Sequence, residues 1–250
     1  MQSNNLTAVV LVKNDQFFLR YALESTRKLF KNYVFYDISS EDRTRDVIAS
    51  FIKTLPDDAN VSIRYLPMCP PSVQGCFRNS MIVEARTNWY FILDGDEVYN
   101  EKGVQAIADG FEVMKKEHTK DERKIYGVLS RLEVGQHLIS KYNTIRSHHR
   151  VYHQTASWVG NHPGEIPFYE QCPKREYEFS EDALCYHFHN ADRSPHDSAA
   201  LKRVDRRARG TYRPGELVPF DLFEALPILK TKFDDIPVNP ILERLQNGLS

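Results

Sequence analysis

Cysteine is scarce in this 250-residue chain: Cys69, Cys76, Cys172 and Cys185 are its four, at irregular spacing. No CxxC pair occurs, so neither a zinc knuckle nor a disulfide framework finds support, and the thiols read as reduced, as in a cytosolic protein. A dominant charge is also missing. The 33 Lys and Arg against 34 Asp and Glu leave a net −1, so no whole-molecule field points to nucleic acid or a membrane surface. No apolar run approaches the roughly 18 to 20 residues of a bilayer span. The opening Met1-Gln2-Ser3-Asn4-Asn5 lacks the basic and apolar regions of a signal peptide. An anchored Golgi-type enzyme is therefore not expected, and a cytoplasmic location is. No HExxH-type spacing occurs, which argues against a zinc hydrolase built on the nine histidines.

What remains is an ordinary globular composition, 41% hydrophobic and 27% charged, in a chain long enough for one sizeable domain. The first hundred residues alternate strand and helix. Leu6 to Val12 is a nearly unbroken apolar run, the mark of a strand buried on both faces. Asn14 or Asp15 can cap a following helix that places Phe18, Ala22, Ser25 and Leu29 on one face. Tyr33 to Ile38 is a second strand, and Val47, Ile48, Phe51, Ile52 and Leu55 stripe a second helix. Val61 to Leu66 is a third strand, Asn79 to Arg86 a helix, and Trp89 to Leu93 a fourth strand. Such alternation implies a parallel sheet with right-handed crossovers. Beyond residue 100 the pattern is mixed: a helix over Glu101 to Lys116, strands over Tyr126 to Val134 and Thr144 to His153, and mostly loop from Gln154 to Asp192. A basic helix is expected over His196 to Arg209, followed by a proline-punctuated tail of short helical pieces.

Ligands of parallel α/β sheets bind beyond the carboxyl ends of the strands. Asp15, Asp37 and Asp94-Gly95-Asp96-Glu97 all fall at such ends. The last group is the sharpest: an apolar strand ends abruptly in three carboxylates within four residues. Crowding carboxylates beside a hydrophobic strand costs free energy through repulsion and desolvation. A divalent cation removes that cost, because hard Mg²⁺ or Mn²⁺ prefers carboxylate oxygens and also binds diphosphate. Gly95 is expected to allow a tight turn that aims the flanking acids at one ion.

Four segments in order carry a resemblance. They are Ala8 to Asp15 with Phe18-Leu19, Tyr36-Asp37-Ile38-Ser39-Ser40-Glu41-Asp42-Arg43-Thr44, Arg78-Asn79, and Phe91 to Glu97. Over roughly residues 6 to 195 the chain resembles family 2 type glycosyltransferases with the GT-A fold, departing at Ile38 and Ser39, where that family commonly has Asp and Gly. The resemblance implies a Rossmann-like α/β domain over residues 1–210 with a mostly parallel central sheet. Residues 1–100 would be the nucleotide-sugar half and 101–210 a mixed, loop-rich acceptor half, with residues 211–250 a helical tail packed on the body.

It also implies roles. Asp37 would accept a hydrogen bond from the base, commonly uracil, with Val12, Asn14, Arg78 and Gly95 near the nucleotide and Arg193 able to reach a phosphate. Asp94 would contact ribose or metal, and Asp96 would ligate the Mn²⁺ or Mg²⁺ that holds the donor diphosphate. Tyr186 to Asn190 resembles the segment that supplies a further ligand, His187 or His189, which in a strand would point to one side. Glu97 is read as a neighbour, and His148-His149-Arg150 is assigned no metal. Glu165 is the first candidate for general base on the acceptor hydroxyl, with His162 the alternative. Trp158 is either a core residue or a platform for a sugar ring.

The implied activity is metal-dependent transfer from a nucleotide sugar, UDP-linked by preference, to a glycan or other hydroxyl, with inversion. Nucleotidyl transfer is the alternative enzyme reading, but Leu11 to Asp15 lacks the glycine-rich loop that chemistry uses. An inactive nucleotide-binding module is the non-enzymatic one. A nucleic-acid acceptor is a minority option that rests on the basic helix.

Overall fold

The structure, a computed structural model, describes residues 3–70, 73–119, 124–159, 166–168, 174–180, 182, 184–196, 216–234 and 236–248. The first half runs β1 (Ser3–Val12), α1 (Leu19–Thr26), β2 (Phe30–Ile38), α2 (Thr44–Lys53), β3 (Asn60–Leu66), α3 (Gln74–Glu84) and β4 (Trp89–Ile92). Then come β5 (Glu97–Tyr99), α4 (Glu101–His118), β6 (Lys124–Val134) and β7 (Ser140–His153). Short strands β8 (Ser157–Val159), β9 (Ile166–Phe168), β10 (Lys174–Glu178) and β11 (Leu184–His187) follow. The tail carries β12 (Leu217–Pro219), α5 (Leu222–Ala225), a 3-10 turn at Pro227–Lys230 and α6 (Pro240–Gln246).

The main sheet has the order β3-β2-β1-β4-β7-β6-β11-β5, with β10 beside β6 and β12 beside β7. The expected α/β class is observed. The strands β3, β2, β1 and β4 are mutually parallel. Strand β7 then runs antiparallel to both β4 and β6. All four residues of β4 are buried, which explains why that strand is apolar without alternation. Helix α2 buries Val47, Ile48 and Phe51 on one stripe against the sheet. Register aligns Val12 with Asp37 and Asp37 with Tyr65, so the carboxyl ends of β1, β2 and β3 lie level at one edge.

Three expectations change. Helix α1 begins at Leu19 with Phe18 in the cap position and no side-chain cap, so Asn14 and Asp15 are free to serve the loop instead. Among its described residues, the stretch 154–192, expected to be mostly loop, holds four short strands. Each spans three to five residues, too few to print a period of two on a sequence interleaved with His, Pro and Gly. The tail adds an edge strand at Leu217–Pro219, a position that tolerates proline. Farther along the tail, Leu222, Leu226, Leu229 and Leu242 pack with Phe17, Phe18, Tyr21 and Phe188. Residues 197–215, where the basic helix is expected, lie outside the described residues apart from His196 before them. Among the described residues no helix is long and apolar enough to cross a membrane.

Candidate functional site

The loops after β1 and β2 are laced into one surface. The backbone N–H of Asn14 donates to Ser40 Oγ at 2.9 Å and that of Asp15 to Thr44 Oγ1 at 2.8 Å. In return, the N–H of Glu41 donates to Asn14 Oδ1 and that of Arg43 to Gln16 Oε1, each at 2.9 Å. Asn14 has φ 54°, a left-handed conformation that asparagine tolerates well. Ser39 likewise has a left-handed backbone, at φ 52°. Asp37 is fully buried; it accepts from Ser40 N at 3.2 Å and from Arg45 Nε. The Arg45 guanidinium lies 4.9 Å from the Tyr65 ring centroid, on the outward side of the pair.

The acidic run after β4 divides. Asp94 and Glu97 face one way, Asp96 the other. The expected tight turn is present, closed by the Glu97 N–H donating to Asp94 O at 3.2 Å, but it needs no left-handed φ at Gly95 and does not aim the flanking acids at one ion. What requires glycine is close approach: a Cβ there would stand 3.0 Å from Asp15 Cβ and 3.2 Å from Asp15 Oδ2.

On the first side, Arg150 of β7 fills the space between the acids. Its Nη2 donates to Asp94 Oδ2 at 2.6 Å and also to Glu97 Oε1, while Nε donates to Glu97 Oε2 at 2.9 Å. Burial opposes the charge on Glu97, but Arg150 and His148 outweigh it and hold the carboxyl well below its usual range. Burial and the neighbouring Arg150 push His148 down to about 4, so it is neutral at pH 7. Its Nε2 lies 2.8 Å from Glu97 Oε1 and its Nδ1 3.1 Å from Arg131 Nη1, which fits an Nε2–H tautomer. Arg78 reaches within 3.9 Å of Asp94 and lies 5.2 Å from the Trp158 ring centroid.

On the second side, Asp96, His187 and His189 offer ligand atoms that all lie within 4.8 Å of one another. Asp96 is 2% exposed. Burial opposes its charge, yet His187 and Arg193 hold its carboxyl well below the usual range. Nε2 of His187 is 3.5 Å from Asp96 Oδ1, and its Nδ1 is 3.0 Å from both oxygens of Glu133. Burial works against protonation, but the two carboxylates overcome it and raise His187 to about 10. His189 lies beyond the end of β11 rather than within it, and its ring stacks on His187 at 5.1 Å. Arg193 closes the group, with Nη1 3.1 Å from Asp15 Oδ1 and 3.4 Å from Asp96 Oδ2.

No family model and no curated protein matches the sequence. Solved structures similar to the chain include S. aureus TarS 1-349, at TM-score 0.49 and 13% identity, covering 75% of this chain and 60% of that one. A second is the mannosyltransferase PcManGT from Pyrobaculum calidifontis in complex with GDP-Man and Mn²⁺, at TM-score 0.49 and 12% identity, covering 97% and 69%. A third is glucosyl-3-phosphoglycerate synthase from Mycobacterium tuberculosis with Mn²⁺, UDP-Glc and phosphoglyceric acid, at TM-score 0.36 and 11% identity, covering 52% and 44%. The chain thus spans three fifths or less of the TarS and synthase chains. At such depth the chemistry has to be read from the side chains themselves.

Those side chains gather Asp96, His187, His189 and Arg193 at one point, with Asp94, Gly95 and Arg78 beside it. Asp94 does not join the histidines; it falls in a separate acidic group with Glu97 and His148. Val12 is 1% exposed and its side chain belongs to the core, which leaves only its backbone for a ligand. Trp158 is buried against Tyr90, to whose hydroxyl its Nε1 donates at 3.1 Å, so it is a core residue. Glu165 and His162 lie outside the described residues. Sequence reading missed Glu133, Arg131, Arg45 and the roles of Arg150, His148 and Glu97. A charged residue inside an otherwise apolar strand was the available signal: Glu133 stands between Leu132 and Val134, and Arg150 next to Val151.

Proposed function

We propose that the chain is a glycosyltransferase that takes its sugar from a nucleoside diphosphate donor, UDP-linked by preference, and needs a divalent cation. The observation that carries the reading is the buried Asp96 with His187 and His189, set just beyond the carboxyl end of β4. That is where an α/β sheet of this topology binds ligands. Two of the structures named above are complexes of a nucleotide sugar with Mn²⁺, GDP-Man in one and UDP-Glc in the other.

The donor set fits the cation. One carboxylate oxygen and two imidazole nitrogens suit Mn²⁺ better than Mg²⁺, which prefers oxygen alone. Once bound, the ion supplies charge neutralisation on the departing nucleoside diphosphate. Asp96, His187 and His189 hold it. Arg193 lies within reach of the same phosphates, and Arg78 with Asp94 flanks the ribose side. Asp37 and Arg45 stand at the base end, at the carboxyl edge of β2. Glu165, with His162 as the alternative, is the proposed base that takes the acceptor hydroxyl proton as that oxygen displaces the nucleotide with inversion.

The test is a screen of UDP- and GDP-sugars for hydrolysis or transfer with Mn²⁺, Mg²⁺ or chelator. Turnover is expected with Mn²⁺, weaker turnover with Mg²⁺ and none with chelator. Asp96→Ala should lower it at least ~100-fold with the circular dichroism spectrum unchanged. Metal-independent turnover, or an active Asp96→Ala, overturns the reading.

A further inference from the structure

The buried carboxylate of Glu133 has no place in the donor site so far described, yet it is 1% exposed at the carboxyl end of β6. Parallel pairing of β11 with β6 sets Glu133 directly beside His187. Both carboxylate oxygens lie 3.0 Å from His187 Nδ1, and the opposite ring nitrogen faces Asp96 Oδ1 at 3.5 Å. Arg131, two residues earlier on the same strand face, brings Nε within 3.2 Å of Glu133 Oε1 and Nη1 within 3.1 Å of His148 Nδ1. Glu133 is thereby fixed from both sides, by a strand register and by a guanidinium.

Burying a carboxylate is costly unless its charge is used. An imidazole that binds a metal through one nitrogen gains from a carboxylate on the other, which fixes the tautomer, sets the ring plane and makes the free nitrogen a stronger donor. We infer that Glu133 is the positioning residue of this site: it takes the Nδ1–H of His187 and thereby turns the Nε2 lone pair toward a divalent cation shared with Asp96. His189, stacked on the same ring, follows that orientation. The inference rests on the metal reading above and concerns metal affinity rather than sugar transfer.

The experiment titrates Mn²⁺ alone into the full chain, without nucleotide, followed by electron paramagnetic resonance or calorimetry. Glu133→Ala is expected to weaken Mn²⁺ about 10- to 100-fold. Glu133→Gln keeps an acceptor for Nδ1–H without the charge, so it should restore most of that loss and serves if the alanine variant does not fold. With diamagnetic Cd²⁺ as probe, nitrogen-15 spectra of His187 should show a proton on Nδ1 in wild type and Glu133→Gln, and a mixture of tautomers in Glu133→Ala. A folded Glu133→Ala that binds Mn²⁺ within twofold of wild type, or a cadmium-bound His187 protonated on Nε2 in wild type or Glu133→Gln, overturns the inference. If wild type binds Mn²⁺ and Glu133 controls it but no nucleotide sugar turns over, the transferase reading falls and the positioning role stands. If wild type binds no Mn²⁺, both fall.

Discussion

Two clusters built on adjacent acids of one loop solve the same electrostatic problem in opposite ways. Around Asp94 and Glu97 the balancing cation is part of the chain: Arg150 is 5% exposed and bonded to both carboxylates, and neutral His148 completes the ring. Around Asp96 the balance is provisional. Its partners are two histidines, which can trade a proton for a metal, and Arg193, whose side chain is 22% exposed at the rim. A permanent guanidinium makes a strut; exchangeable cations make a binding site. Proximity of three potential ligands is common to both groups, so it does not by itself distinguish them. What distinguishes them is whether the positive charge can leave.

The largest effect expected from this contrast is on stability. Arg150→Met leaves Glu97 buried without a cation, with only neutral His148 and the Tyr99 hydroxyl, which donates at 3.2 Å. Breaking a buried pair in this way costs about 3–5 kcal/mol. Urea unfolding should show that loss, whereas Asp96→Ala, whose partners retain Glu133 and Asp15, should lose no more than about 1–2 kcal/mol. Equal losses in the two variants would mean that the Asp96 cluster is also a strut.

The strand–helix alternation of the first hundred residues was legible because β1, β2 and β4 are largely buried and print mostly apolar runs, while the half-exposed edge strand β3 still shows through Val61 and Ile63. The clustering of Asp96 with His187 and His189 was legible through resemblance, since those residues sit in recognisable segments. The division of labour was not. Nothing in Asp94-Gly95-Asp96-Glu97 tells which acids turn toward Arg150, because that depends on β7 pairing antiparallel with β4. Glu133 was invisible for the same reason: its partner lies 54 residues away, across the β6–β11 ladder. Ser39 adopts a left-handed φ of 52° that glycine would reach freely, at a backbone cost of about 1–2 kcal/mol. Short strands within 154–192 escaped because their register comes from neighbours rather than from their own pattern.

A smaller effect tests the exchangeable cation directly. Arg193 Nη1 sits 3.4 Å from Asp96 and 3.1 Å from Asp15, in the region a metal must share. Removing a positive charge there relieves repulsion of a divalent cation by about 2 kcal/mol at ~4 Å and water-like screening, a factor of about 30 in affinity. Arg193→Gln should therefore bind Mn²⁺ about 30-fold more tightly in the absence of nucleotide, and UDP more weakly in the presence of saturating Mn²⁺. Calorimetry measures both. Unchanged Mn²⁺ affinity would make Arg193 a fixed partner like Arg150.

The smallest expected effect falls on the residue between the two clusters. Because Gly95 lies outside the left-handed region, alanine there carries no backbone penalty, and its whole cost is the contact with Asp15 at 3.0–3.2 Å. Overpacking of this size costs about 1 kcal/mol. Asp15 is tied to Arg193 and so to Asp96. Gly95→Ala should thus weaken Mn²⁺ binding several-fold while lowering the urea midpoint only slightly. A variant with a large stability loss and unchanged metal affinity would place the strain on the Arg150 side, and the two clusters would then be mechanically one.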